Sequence, residues 1–152
     1  MFGTIGEEKR MEGTVIANAV NTSSRVEKLT KHYDVGILIS KETLNRLDDV
    51  YKYQHRFMDK VKVKGKEGAV SVYEIFEVDP LRHKKAATRA VFEHGARSFH
   101  DRDFETTVSC MKQVQEKLPD DAVTESYLQR AEEVLRDGIP DDWDGLARVS
   151  VR

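Results

Sequence analysis

Two hydrophobic rhythms divide the chain. Up to about residue 77, short β-branched runs alternate with amphipathic pieces, and beyond residue 79 a 3.6-residue period takes over. In the first part, residues 3–6 read as the end of a strand and Thr14-Val15-Ile16 as a short one. Residues 18–29 carry Ala19, Val20, Val26 and Leu29 on one face, the spacing of an amphipathic helix. Val35, Ile37, Leu38 and Ile39 within 34–40 predict a buried strand, and Ser40 is a suitable N-cap for a short helix over 41–47. Val61 and Val63 alternate with Lys60, Lys62 and Lys64, which predicts a strand with one wet face. The Gly65-Lys66-Glu67-Gly68 turn then leads into a last strand with Val70, Val72, Glu74 and Phe76, closing a hairpin.

Pro80 and the basic run 82–85 mark the change of texture, since the residue before a proline avoids helical geometry. Three helices follow by period, over 85–100, 104–118 and 122–135, with Asp101-Arg102-Asp103 and Leu118-Pro119-Asp120-Asp121 as joints. Asp121 is expected to cap the third helix and Gly138 to end it. The expected fold class is therefore α+β. A partial sheet with helices on one side occupies residues 1–78, and an all-α three-helix tail occupies 79–152.

Composition narrows the partners. Of 152 residues, 39% are hydrophobic and 34% charged, as in a water-exposed globular domain, and no apolar stretch is long enough to cross a bilayer. A net charge of −2 argues against nucleic acid, which calls for a basic excess. Cys110 is the lone cysteine, so no internal disulfide can form and a cytoplasmic setting is expected, with a membrane anchor upstream left open. Cys110 falls at an apolar helical position and is expected in the core. His32, His55, His83, His94 and His100 show no metal-ligand spacing and read as surface or boundary residues.

The run from Gly3 to Glu27 holds a Gly-x-x-Gly turn, Lys9-Arg10, a Thr-bearing strand and Val20-Asn21-Thr-Ser-Ser-Arg25-Val. Gly36-Ile-Leu-Ile-Ser40, Val63-Lys-Gly-Lys66 and Val72-Tyr-Glu-Ile-Phe76 follow at sensible distances. In order and spacing this resembles the C-terminal half of the catalytic domain of class III adenylate and guanylate cyclases, of bacterial type. The resemblance covers about half of the chain and implies a ferredoxin-like cyclase sheet.

Such enzymes join the ribose 3′-hydroxyl to the α-phosphate and expel pyrophosphate, so the protein mainly positions groups and neutralises phosphoryl charge. Asn21 and Arg25, four apart on a helix, project from one face. The resemblance implies that Asn21 orients the ribose and Arg25 stabilises the pentacoordinate phosphate, a task that suits a planar, permanently charged fork. It gives Lys64 the terminal phosphates and Thr14 the purine. A Thr hydroxyl can accept from the adenine amino group, which favours ATP and cyclic AMP over the guanine pair. Ala17-Asn18 replaces the commoner Gly-Asp, a mild departure.

The family's two metal-binding Asp residues fall before Met1, so Mg²⁺ or Mn²⁺ would be held by residues upstream. The chain is expected to be inactive alone and to work as part of a homodimer in the full-length enzyme. In the tail, Gly95, Phe99, Asp103-Phe104, Met111 and Pro119 fall close to a tetratricopeptide pattern, with Thr107 where that pattern has a small residue. A plain helical hairpin packed on the cyclase sheet is the alternative. Trp143 is expected to anchor the final segment on the last helices, and the tail is a candidate surface for a protein partner. A non-catalytic, cyclase-derived interaction module is the second functional reading.

Overall fold

The computed structural model describes residues 30–31, 33–47, 53–62 and 68–148. The strands expected at 3–6 and 14–16 and the helix at 18–29 lie outside them. The described part is α+β, as the periodicities predict. Strand β1 (Ile37–Ser40) leads into the short helix α1 (Lys41–Asn45), then strands β2 (His55–Lys62) and β3 (Ala69–Ile75). Helices α2 (Arg82–His100), α3 (Phe104–Lys117) and α4 (Ala122–Asp137) follow, and a two-residue strand β4 (Ala147–Arg148) closes the order.

The sheet runs β1-β3-β2-β4. β2 and β3 form the expected antiparallel hairpin, β1 lies antiparallel to β3, and β4 adds a parallel contact at Val61 and Lys62. Local chemistry explains the boundaries. The Ser40 hydroxyl accepts from the Thr43 amide at 3.2 Å and starts α1. Asp103 does the same for Thr106 at α3, and Gly138, at φ +87°, ends α4 where an L side chain would be strained.

Asp121 departs from expectation. It stands at the N-cap of α4 but makes no capping bond to an amide. Its carboxylate instead receives the Arg56 guanidinium and the Thr124 hydroxyl. A charged partner brought by tertiary contact outcompetes the local amide.

One hydrophobic core joins sheet and helices. Leu38, Met58, Val61 and Val72 from the strands pack with Phe92, Phe99, Met111, Val114, Tyr127 and Ala131 from α2 to α4. A smaller cluster of Ile39, Ile75, Leu44 and Leu47 ties α1 to the sheet. Cys110 is in the core, as its position predicts. Trp143 packs edge-on against Phe99 and Phe104 at 5.6 and 5.4 Å, which anchors the last segment on α2 and α3. No helix of the described residues is long and apolar enough to cross a membrane.

Gly95 lets α2 and α3 approach closely. A Cβ built there would lie 2.8 Å from the Cys110 Cβ and 3.1 Å from the Met111 Cε, while the Thr107 hydroxyl donates to the Gly95 carbonyl at 3.0 Å. The Cys110 Cβ is fixed to the backbone, so the helices would have to separate. Gly95→Ala is therefore expected to destabilise the protein by about 1–3 kcal/mol despite the better helix propensity of alanine. A urea midpoint that rises in the variant would contradict this close approach.

Candidate functional site

The signature positions Thr14, Asn21, Arg25 and Lys64 all lie outside the described residues. The described remainder of the signature is brought together. Segment 36–40 supplies β1 and segment 72–76 supplies most of β3, with Ile37 opposite Ile75 and Ser40 opposite Val72. Lys64 follows two residues after the end of β2. Two motifs separated by about half the signature thus become neighbouring strands.

Behind these strands lies a chain of buried charges. Arg56, fully buried, donates to the Glu74 carboxylate at 2.8 Å and reaches the Asp121 carboxylate at 2.8 and 3.1 Å. Lys85 bonds the other Glu74 oxygen and Asp79 at 2.7 Å. The Arg56 guanidinium also stacks 4.4 Å above the Phe92 ring. Burial alone would lower the Arg56 pKa, but Asp121 and Glu74 outweigh it and hold the cation more firmly than usual.

A second centre surrounds Asp59. Its carboxylate accepts from Tyr33 at 2.9 Å and Arg130 at 2.7 Å, and His100 Nε2 lies 3.3 Å away. Tyr127 donates to the Met58 carbonyl at 2.7 Å beside it. Burial would raise the Asp59 pKa, but His100, Arg130 and Tyr33 together hold it below its ordinary 3.8. Asp121 is held low in the same way, burial being outweighed by Arg56 and Thr124.

Neither centre was visible in the sequence, and one histidine needs correcting. His55 is buried, with Nδ1 on the Tyr53 carbonyl and Nε2 facing Arg89, partners that satisfy its ring nitrogens. His100 is half-buried at the boundary, as expected, with its ring near Asp59 and Tyr127, and His32 lies outside the described residues. His83 and His94 are exposed, as expected. No three His, Cys, Asp or Glu side chains among the described residues are placed to hold a metal ion.

The depressed carboxylates set a sign for pH dependence. The unfolded chain binds protons to these two groups more readily than the folded one, so their contribution is complete above about pH 4 and lost as pH falls below it. Urea midpoints should therefore drop on acidification, and Asp59→Asn should flatten that limb while lowering stability at neutral pH. An unchanged acid limb in the variant would show that Asp59 titrates normally.

Comparison with known proteins gives three relatives. Over 133 residues, 86% of this chain, it is 33% identical to the terminal-differentiation-specific adenylate cyclase of Dictyostelium discoideum. It is 45% identical over 76 residues to an adenylate cyclase of Anabaena cylindrica, and 30% identical over 78 residues to adenylate cyclase 1 of Rhizobium meliloti. The matches cover 6%, 15% and 11% of those proteins, so the chain spans a small part of each. A match of 133 residues is longer than the first 78 can supply, so the Dictyostelium similarity runs into the helices. No protein-family model matches the chain, and no solved structure does. Sequence similarity thus ties this chain to adenylate cyclases through a short segment of each.

Proposed function

We propose that this chain is the base- and phosphate-binding part of a class III adenylate cyclase that converts ATP to cyclic AMP and pyrophosphate. The observation that carries the reading is the similarity to three adenylate cyclases, together with the ordered signature from Gly3 to Phe76. Thr14 reads the adenine amino group, Asn21 orients the ribose, Arg25 stabilises the α-phosphate as charge builds on it, and Lys64 neutralises the terminal phosphates. The buried Arg56 and Asp59 centres tie α2 and α4 to β2 and β3, the strands that flank Lys64 in sequence.

Mg²⁺ or Mn²⁺ would screen phosphate charge when held by carboxylates other than those described here. The buried acids Glu74, Asp121 and Asp59 are each engaged by Arg or Lys, and none is free for a metal. The enzyme works as a homodimer, in which one protomer brings metals and the other brings these four residues.

Base choice tests the substrate assignment. Thr14→Val removes the acceptor for the adenine amino group, so kcat/KM for ATP should fall about tenfold, as expected for one lost hydrogen bond, while the triphosphate tail still binds. An unchanged ratio of ATP to GTP use in the full-length enzyme would remove Thr14 from that role.

A further inference from the structure

Lys41, Lys60 and Arg97 line a cleft of about 350 Å³ together with Phe57, Ser71, Tyr73, His100 and Asp101. Of these residues only His100, which faces Asp59, belongs to a centre described above. The cleft is built by a register irregularity. In β2, Phe57 stands opposite Tyr73 and Lys60 opposite Ser71, with a bulge between Phe57 and Asp59. Residues three apart on a regular strand point to opposite faces. The bulge absorbs one residue and returns Lys60 to the face of Phe57, beside Ser71 and Tyr73. The last turn of α2 then supplies Arg97, three residues before His100 and four before Asp101, and Lys41 enters from the start of α1.

The charge in the cleft is unbalanced. The side chains of Lys41, Lys60 and Arg97 form no hydrogen bond or ion pair with another described residue. Against these three cations stand Asp101 and the negative end of the α2 dipole. The nearby Glu93 is already engaged, accepting the Phe57 amide at 2.7 Å and pairing with Arg89. His100 turns its Nε2 inward toward Asp59, 3.3 Å away. Burial pushes the Tyr73 hydroxyl above its ordinary value, so it stays a protonated donor at neutral pH.

We propose that this cleft binds a phosphate-bearing dianion, with Lys60 and Arg97 gripping the phosphoryl oxygens and the Ser71 and Tyr73 hydroxyls donating to them. Arg97 provides the fork and Lys60 the point charge, and Lys41 adds long-range attraction. The volume admits inorganic phosphate, pyrophosphate or a small phosphomonoester.

The test is calorimetric titration of the 152-residue chain with inorganic phosphate, pyrophosphate and AMP, ionic strength being held constant with chloride. Saturable binding of at least one of the three is expected, weakened about tenfold by Arg97→Glu and by Lys60→Glu, the loss of one charge-assisted bond. Pyrophosphate binding tightest would identify a polyphosphate source, and AMP binding tightest a monoester source. Lys112→Glu makes the same charge change at an exposed position on α3 and should leave affinity unaltered. The three substituted side chains are exposed, and unfolding midpoints of the unliganded variants check that each is folded. No saturation with any of the three, or equal weakening by Lys112→Glu, would overturn the proposal.

Discussion

Replacing Arg56 with alanine is expected to destabilise the protein by about 3–5 kcal/mol, the range for removing one partner of a buried ion pair. The guanidinium is fully buried and serves two carboxylates, Glu74 within the sheet and Asp121 at the start of α4. Without it, Asp121 keeps only the Thr124 hydroxyl, and Glu74 keeps Lys85. Two acids would then sit in low dielectric undercompensated, and the contact with Phe92 would be lost as well. The urea midpoint should fall sharply at neutral pH, and part of the loss should return as the pH drops and the stranded acids protonate. A change below about 1 kcal/mol would mean that the network adds little beyond a hydrophobic replacement, as at some buried pairs.

The largest functional effect is expected at Arg25. If Arg25 has the proposed role, removing it takes a cation from where charge develops and should lower kcat about 100- to 1000-fold in the full-length enzyme, with little change in ATP binding. Arg25→Lys should recover only part of the loss, because a point charge cannot grip two oxygens as the planar fork does. A rise in KM with kcat intact would instead assign Arg25 to substrate binding.

The helical half was legible because its determinants are local. The period over 85–100 and 104–118 and the glycine at 138 each act within a turn of the chain, and the observed α2, α3 and α4 agree within a few residues. Strand β2 was legible only from Lys60 onward, although it starts at His55. Its first half contains His55, Arg56 and Asp59, residues that ordinarily mark a loop or a wet face. Arg56 and Asp59 are buried because partners 65 and 71 residues away, Asp121 and Arg130, satisfy their charge, and His55 because Tyr53 and Arg89 meet its ring nitrogens; no local pattern announces the distant partners. The cationic cleft was hidden for a related reason, since a bulge and the end of a distant helix assemble it. The cyclase signature could be read from sequence because it is a spacing of residue types, although its four chemical positions lie outside the described structure.

We propose a division of labour between two protomers, in which this chain would bring Thr14, Asn21, Arg25 and Lys64 to metals held by its partner. Full-length enzyme carrying Arg25→Ala damages one side of each shared site, and a variant lacking the metal-binding carboxylates damages the other. Each should be inactive alone. Mixed so that heterodimers form, they contain one intact site in which neither lesion falls, and cyclic AMP production from ATP should recover in part. A mixture that stays silent while heterodimers are demonstrably present would contradict it.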